Sequence, residues 1–568
     1  MTDANKEFYK FDDFNLDVAE RLLLRGGSSL PLPEKALETL CALVKRANHL
    51  VSREELLNEV WTDAFVEENN LDKNISLLRQ ILGERTDGKK FIETVRGRGY
   101  RFVASIETAQ PDAKIRTVAV LPFKPLVAEN RNEALELGMA ETLIAKLSES
   151  DEIITRPLSV TRRYDSLEQD SLAAGRELET EAVLDGSIQT FGDRIRISAR
   201  FLRVSDGRQL WAGQFDEKLT DIFAVQDSIS EKVSEALKIA LARREKKRYP
   251  ENIQAYQLYL KGRYHALRKV RSETDKSINY FQQAIEIAPD FALAYVGLAA
   301  VYHSVVLTSE VPARRVMPKA KAAALRAIEI DDTLAEAHAV LGFTIFWYEW
   351  DWASAEAHYR RGLELDPRSV DLRYHYAHLL SNIGQHEKAL TVIKLARDLD
   401  PLNFTINAVE GQILFFAGKA DEALEQLNDT IDLNPNFWLT HLFISRVYSQ
   451  KGLHTEAIEA ATKAKETSDG NAEAVALIGY ELARSSEQKK ARAVLEELRQ
   501  MSKTRYVPPY NFALVFNGLG EREKALDYLE KAFAEKNVLM VFLKVEPKWN
   551  NLRSEACFID LMRRMNFE

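Results

Sequence analysis

Apolar residues recur along this chain with several different rhythms. Near the start, FYKFDDFNLDV followed by RLLLRGG alternates apolar and polar positions, which predicts short half-buried strands. Residues 34–47 (EKALETLCALVKRA) place Leu37, Leu40, Cys41, Val44 and Ala47 on one helical face after a Pro31-Leu32-Pro33 lead-in. Ser52 opens SREELLNEVW with Glu55 three residues on, a capping box that specifies a helix start locally. Leu71, Ile75, Leu78 and Leu82 then recur at helical spacing until Gly83 ends the run. FIETVRGRGYRFVA is two β-prone runs joined by Arg96-Gly97-Arg98-Gly99, a hairpin with a basic tip. The first hundred residues therefore predict a small sheet, three helices in a helix-turn-helix arrangement, and a hairpin.

Residues 107–114 (ETAQPDAK) are polar with a proline and read as a linker. TVAVLPF predicts a buried strand and ALELGMAETLIAKLSES an amphipathic helix. EIITR, AVLDGSIQTFG, RIRISARFLRV and RQLWAGQFDE predict further strands, with Gly192-Asp193 and Asp206-Gly207 as turns. A long helix, LTDIFAVQDSISEKVSEALKIALAR, closes the segment, so a mixed sheet with helices packed on it is expected.

The second half of the chain is periodic. Gly384, Gly418, Gly452 and Gly520 are spaced by 34, 34 and 68, and five residues after each stands an alanine: Ala389, Ala423, Ala457 and Ala525. Pro367, Pro401 and Pro435 lie seventeen residues before the first three glycines, and the skipped copy has Ser486 and Ala491 in the Gly and Ala slots. Small residues where two helices touch, a glycine turn between them and a proline where the second must stop resemble the tetratricopeptide repeat. About eight repeats fill residues 253–540, with an insertion near Thr308 to Pro318, and KVEPKWNNLRSEACFIDLMRRMN is positioned to cap the open end. Such an all-α solenoid presents a long concave surface, and the resemblance implies a protein or peptide partner held on it. Trp347, Trp350 and Trp352 cluster in this region. They read either as packing between helices or as anchors for that partner, and burial decides between the two.

At 568 residues the chain is long enough for roughly three to four domains. No stretch approaches the ~18 apolar residues of a membrane-crossing helix, and the first residues show no secretory signal pattern, so a cytoplasmic location is expected. Two cysteines, Cys41 and Cys557, exclude a disulfide framework and a Cys-based zinc site. Net charge is −9, but it is unevenly placed: residues 1–72 carry eight Lys/Arg against fifteen Asp/Glu, whereas 73–106 carry eight against three. The chain contains no phosphate-binding Gly-rich loop, no His-Glu-x2-His and no nucleophile elbow. No catalytic, cofactor-binding or metal-binding residue is therefore assigned. His375 and His378, three apart on a repeat helix, read as inter-helix packing ahead of a metal pair. RREKKR at 243–248 reads as a basic helix terminus ahead of a DNA-backbone contact.

TVRGRGYRF after a helix ending LLRQILG resembles the winged helix-turn-helix effector domain of the OmpR/PhoB class of bacterial transcription regulators, over about residues 8–104. That class works in phosphorelay signal transduction. With no receiver domain upstream, the chain looks more like the CadC/ToxR-type regulators without their transmembrane helix, and aspartate phosphorylation on it is not expected. The resemblance implies that the third helix is a recognition helix in the major groove and the hairpin a wing in the minor groove. With Leu71, Ile75 and Leu78 on the core side, Asn69, Lys73, Ser76, Leu77 and Gln80 face outward. Asn69 and Lys73 suit base edges and Leu77 a thymine methyl. Ser76 and Leu77 depart from the arginine-rich face usual in the class. Arg79 occupies the family's phosphate-contacting position, Asn74 stands where the family often has a phosphate-contacting histidine, and Thr94, Arg96 and Arg98 belong to the wing.

GRELETEAVLDGSIQTFGDRIRISARFLRVSDGRQLWAGQFDEKLTDIFAVQD, with AVLPF before it, resembles the TolB amino-terminal-like domain that accompanies tetratricopeptide repeats in bacterial signalling proteins, including some adenylate cyclases. No cyclase catalytic domain is present, so no such activity is implied. The chain reads as multidomain. A winged helix-turn-helix (α+β) at 1–106 and a linker at 107–114 precede a mixed α/β TolB-N-like domain at 115–250 and a repeat solenoid with C-terminal cap at 251–568. The expected function is that of a bacterial transcriptional regulator, non-enzymatic, whose partners are double-stranded DNA and a protein or peptide. It would be nucleoid-associated when bound and paired as a homodimer on repeated half-sites. The alternative is a scaffold or adaptor that uses the repeats without binding DNA.

Overall fold

The computed structural model describes residues 8–18, 21–25, 28–61, 68–85, 88–108, 115–125, 131–148, 150, 152–237, 250, 252–267, 271–308 and 311–567. The chain divides into two compact units, Met1–Lys114 and Ile115–Glu568. RREKKR at 243–248 lies outside the described residues, as do the last six residues of the expected linker.

In chain order the first unit runs β1 (Phe8–Phe11), β2 (Phe14–Asp17), β3 (Leu22–Arg25), β4 (Ser28–Leu30), α1 (Glu34–Lys45), β5 (Leu50–Ser52), α2 (Arg53–Val60), α3 (Glu68–Leu82), β6 (Ile92–Val95), β7 (Gly99–Phe102) and β8 (Glu107–Thr108). The alternating start folds as the antiparallel meander β1 to β4, with Phe11, Phe14, Leu16 and Leu23 turned inward. β8 adds a fifth strand beside β1, so residues 107 and 108 of the expected linker are paired backbone. The buried stripe of α1 is Ala36, Leu37, Leu40, Leu43 and Val44, whereas Cys41 and Ala47 are only half-buried at its edge. At α2 both capping-box bonds form: Glu55 N donates to Ser52 Oγ at 3.1 Å and Ser52 N to Glu55 Oε2 at 2.7 Å. Phe11, Phe14, Phe91 and Phe102 meet at ring separations of 4.9 to 6.2 Å and tie the meander to the hairpin strands.

The second unit begins with β9 (Thr117–Val120), α4 (Glu133–Leu147), β10 (Ile154–Thr155), α5 (Leu158–Thr161), α6 (Ser171–Glu177), β11 (Ala182–Phe191), β12 (Arg194–Arg203), β13 (Gln209–Lys218) and α7 (Ile222–Leu237). The sheet order is β10-β9-β11-β12-β13, parallel among the first three strands and antiparallel beyond. Val118 and Val120 join the core of α4 and α7, while Ala119 and Leu121 join Val160, Tyr164, Ala174 and Leu178 on the other face. Burial on both sides is why this strand reads as a continuous apolar run.

Among the described residues sixteen helices follow as eight successive pairs: α8 (Ile253–Leu267), α9 (Arg271–Ile287), α10 (Ala292–Leu307), α11 (Ala313–Ile330), α12 (Ala335–Thr344), α13 (Trp352–Leu365), α14 (Val370–Asn382), α15 (His386–Leu399), α16 (Phe404–Phe416), α17 (Ala420–Leu433), α18 (Trp438–Gln450), α19 (His454–Thr467), α20 (Ala472–Arg484), α21 (Gln488–Met501), α22 (Pro509–Gly518) and α23 (Arg522–Ala534). Gly384, Gly418, Gly452 and Gly520 turn within their pairs at φ between +74° and +90°, and Ser486 adopts the same left-handed backbone at +69°. The inserted residues lengthen a pair: α10 and α11 have 16 and 18 residues, against 13 and 14 in α14 and α15. α8 also packs on α4, where a Cβ on Gly138 would lie 2.3 Å from Leu260 and Thr142 Oγ1 meets Tyr256 Oη at 3.0 Å. The segments on either side of residue 250 thus share one hydrophobic core.

Burial decides the tryptophans for the packing reading and overturns the partner-anchor alternative. Trp347 and Trp350 are 5 % and 1 % exposed and Trp352 is half-buried, so the three rings are not available as partner anchors. They pack on the chain's own C-terminus: Trp347 on Phe542, Trp350 on Phe533, and Trp352 stacked on Phe567 at 4.7 Å. The C-terminal stretch also does more than cap. α24 (Ala556–Arg564) does pack on α23, but the 3-10 turns Val538–Phe542 and Pro547–Leu552 run back along the first helices of the repeats. His375 and His378 are packing residues, half-buried and buried respectively among Phe343, Tyr374 and Trp347; desolvation pushes their imidazoles down to about 4 and about 3. Among the described residues no helix is long and apolar enough to cross a membrane.

Candidate nucleic-acid interface

Leu71, Ile75, Leu78 and Leu82 anchor α3 to the first unit's core and so fix which of its faces turns outward. Asn69, Lys73, Ser76 and Gln80 are exposed on that face. Leu77, expected with them as a thymine-methyl contact, is half-buried and packs in part on the edge of the core. Asn74 is also half-buried, its amide nitrogen covered and without a hydrogen-bond partner among the described residues.

Two side chains on one flank of α3, seven residues and hence about two turns apart, fasten the hairpin to it. Arg79 donates from Nε and Nη2 to the carbonyl of Ile92, at 3.0 and 2.9 Å, and from Nη2 to Thr94 Oγ1 at 2.7 Å. Its guanidinium is thus largely committed to holding β6, which the phosphate-contact expectation did not include. Asp72 accepts the hydroxyl proton of Tyr100 on β7 and pairs with Arg53 of α2 at 3.0 Å, while Arg53 Nη2 also donates to Tyr100 Oη at 3.1 Å. The Tyr100 bond and then Arg53 hold the Asp72 carboxyl below its usual range; burial, then the bond to Asp72, pushes Tyr100 up to about 12. Sequence reasoning did not find this cluster. Its signal was an aspartate beside Lys73 on a helix meant to face phosphate, since such a carboxylate must be neutralised.

The hairpin pairs Thr94 with Tyr100 and Val95 with Gly99, leaving residues 96–98 as the turn. Gly99 is required where β7 crosses β5, because a Cβ there would lie 2.1 Å from the Val51 carbonyl. Thr94, Arg96 and Arg98 are exposed. Among the described residues the side chains of Lys73, Arg96 and Arg98 make no hydrogen bond or ion pair, whereas Arg21, Arg25, Arg46 and Arg53 each pair with an acid of the first 72 residues. Part of the acidic excess of that stretch is thereby consumed locally. The cations on the α3 face and hairpin tip remain available to a polyanion within a Debye length of roughly 8 to 10 Å.

Comparison with known proteins agrees with this geometry. Residues 27–102 match the family described as "Transcriptional regulatory protein, C terminal", and residues 358–391 and 409–472 match tetratricopeptide repeats. The chain is 26 % identical over 431 residues to the transcriptional regulator HilA of Salmonella typhimurium, covering 74 % of this chain and 75 % of that protein. The phosphate regulon transcriptional regulatory protein PhoB of Klebsiella pneumoniae is 33 % identical over 102 residues, 18 % of this chain and 44 % of that protein. The CpxR homolog of Haemophilus influenzae is 33 % identical over 101 residues, again 18 % and 44 %. The first unit is a winged helix of the OmpR/PhoB type, and the C-terminal region is built of tetratricopeptide repeats.

Proposed function

From a DNA-binding winged helix joined to repeats that serve protein interaction, we propose a transcriptional regulator that docks α3 in the major groove of promoter DNA and the 96–98 turn in the adjacent minor groove. In this reading Asn69, Lys73 and Ser76 meet base edges, with Leu77 contributing only its exposed part. Arg96 and Arg98 meet the backbone and minor groove, and Asn74 takes a phosphate. Arg79 and Thr94 set the angle between helix and hairpin, Arg79 keeping Nη1 for a phosphate. The observation that carries the reading is that Lys73, Arg96 and Arg98 stand exposed and unpartnered on two elements that Asp72 and Arg79 bind together.

The boundary at 114 belongs to this reading, as do the TolB-like character of the middle segment, a non-catalytic role, a cytoplasmic, nucleoid-associated location and a homodimer on paired half-sites. Footprinting of genomic fragments with the full chain tests it. Saturable, sequence-dependent protection that weakens steeply with salt is expected. Binding without sequence preference overturns the promoter-specific reading, and no binding at about 50 mM salt leaves the scaffold alternative in its place.

A further inference from the structure

The inner face of the repeats is occupied. From Val538 to Leu552 the chain forms two 3-10 turns that touch the turn after α12 and the first helices α16, α18, α20 and α22. Three side chains anchor it. Phe542 lies 5.8 Å from Trp347 and 6.0 Å from Phe416, with the Arg446 guanidinium 5.5 Å above its ring. Glu546 is paired with Arg446 at 3.5 Å, and Arg446 is paired on its other side with Glu473 of α20. Trp549 is fully buried and donates from Nε1 to Tyr510 Oη at 2.9 Å.

Between the anchors, the groove grips backbone. Asn517 of α22 donates its side-chain amide to the carbonyl of Lys548 at 2.6 Å, and Asn551 donates in turn to Asn517. Farther on, Asn566 and the Trp352 indole exchange bonds with backbone carbonyls across the gap, Nδ2 to Trp350 O and Nε1 to Asn566 O, both at 3.0 Å. The segment is not half of a helix pair, as every repeat is; it is held by side chains from the turn after α12 and from α16, α18 and α22, in the manner of a bound peptide. The groove's own Glu473 already pairs with Arg446, and Glu546 of the segment adds a second carboxylate to that buried guanidinium while facing the segment's Lys548 at 3.6 Å, so an occupant with an acid at this position completes a buried charge cluster.

We propose that residues 538–567 are an intramolecular ligand of the repeat groove. It keeps the inner face closed to other segments, and the groove recognises it by an aromatic residue, an acid four positions later and a second aromatic three after that. This goes beyond the DNA-binding reading and is independent of it. An outside protein that uses the inner face must carry the same pattern and displace the segment.

The test uses the chain ending at Asn537 and a labelled synthetic peptide of residues 538–567. Saturable binding to the shortened chain is expected, with at least 100-fold weaker binding to the intact chain, and a loss of at least tenfold when Phe542→Ala or Trp549→Ala is placed in the peptide. Equal binding to both chains overturns the proposal, as does no binding by a shortened chain that retains its helical circular dichroism. Should the shortened chain fail to fold, a cleavable linker inserted between Glu535 and Lys536 of the full chain replaces it. After cleavage, exchange of the labelled peptide into the folded complex supports the proposal. A cleaved chain that never exchanges its fragment, or that unfolds and is not restored by excess peptide, shows the segment to be core and overturns it.

Discussion

Arginines meet opposite fates at two surfaces of this molecule. On the winged helix, Arg96 and Arg98 stand in solvent with no protein partner among the described residues, on a hairpin whose geometry is fixed from behind by Arg79, Asp72 and Tyr100. Inside the repeats, Arg446 is 4 % exposed and lies between Glu473 and Glu546, covered by Phe542. A hydrated cation on a rigid support costs little to keep and is free for phosphate. A buried one must be paired, and here the chain supplies the partner itself. An open surface and a filled one can thus come from similar side chains, and the difference is whether the carboxylates are already in place.

The comparison breaks most visibly at Arg446. Arg446→Ala leaves the buried Glu546 and the half-buried Glu473 without their guanidinium and is expected to cost about 3–5 kcal/mol in urea unfolding of the second unit; a loss below about 1 kcal/mol would show that the pair is not desolvated as described. On the open surface the effects are on binding. Lys73→Ala is expected to change the ranking of operator variants by about 1–3 kcal/mol at the base it contacts. Arg96→Ala is expected to weaken all sequences similarly and to reduce the salt slope by about 1. Fluorescence anisotropy across a salt series separates the two, and identical profiles would contradict the assignment.

Smaller effects sharpen the account of the support. Ser52→Ala removes the capping-box acceptor at α2 and should lower the first unit's stability by ~1 kcal/mol without altering the salt slope. The least effect concerns acid. Asp72 has a depressed carboxyl in the folded state, so its bonds to Tyr100 and Arg53 stabilise above the ordinary value near pH 4 and are lost as pH falls through the folded value. Melting temperature should therefore fall more steeply below about pH 4 in the parent than in Asp72→Asn, and parallel curves would remove Asp72 from the account.

Much of this was legible in the sequence wherever the determining contacts are local. The Ser52–Glu55 capping box, the Leu71–Ile75–Leu78–Leu82 stripe, the Arg96–Gly97 turn and the 34-residue glycine period depend on neighbours within one or two turns of chain. Legibility failed where a second element intervened. Leu77 sits on the outward side by helical period, yet the core wraps far enough to cover it in part. Arg79 reads as a phosphate ligand until β6 presents the Ile92 carbonyl to it. Glu107 and Thr108 read as linker because their strand partner lies about a hundred residues earlier.

Helix starts, turn positions, repeat length and the basic character of the hairpin follow from the order of residues alone, because propensity, capping and periodicity act over a few positions. Which cations stay free and which are consumed, and whether a groove is open or filled, depended on groups far apart in the chain: Trp352 with Asn566, Arg446 with Glu546, Asp72 with Tyr100. Burial and pairing are properties of what surrounds a side chain in space, and only the folded arrangement brings those surroundings together.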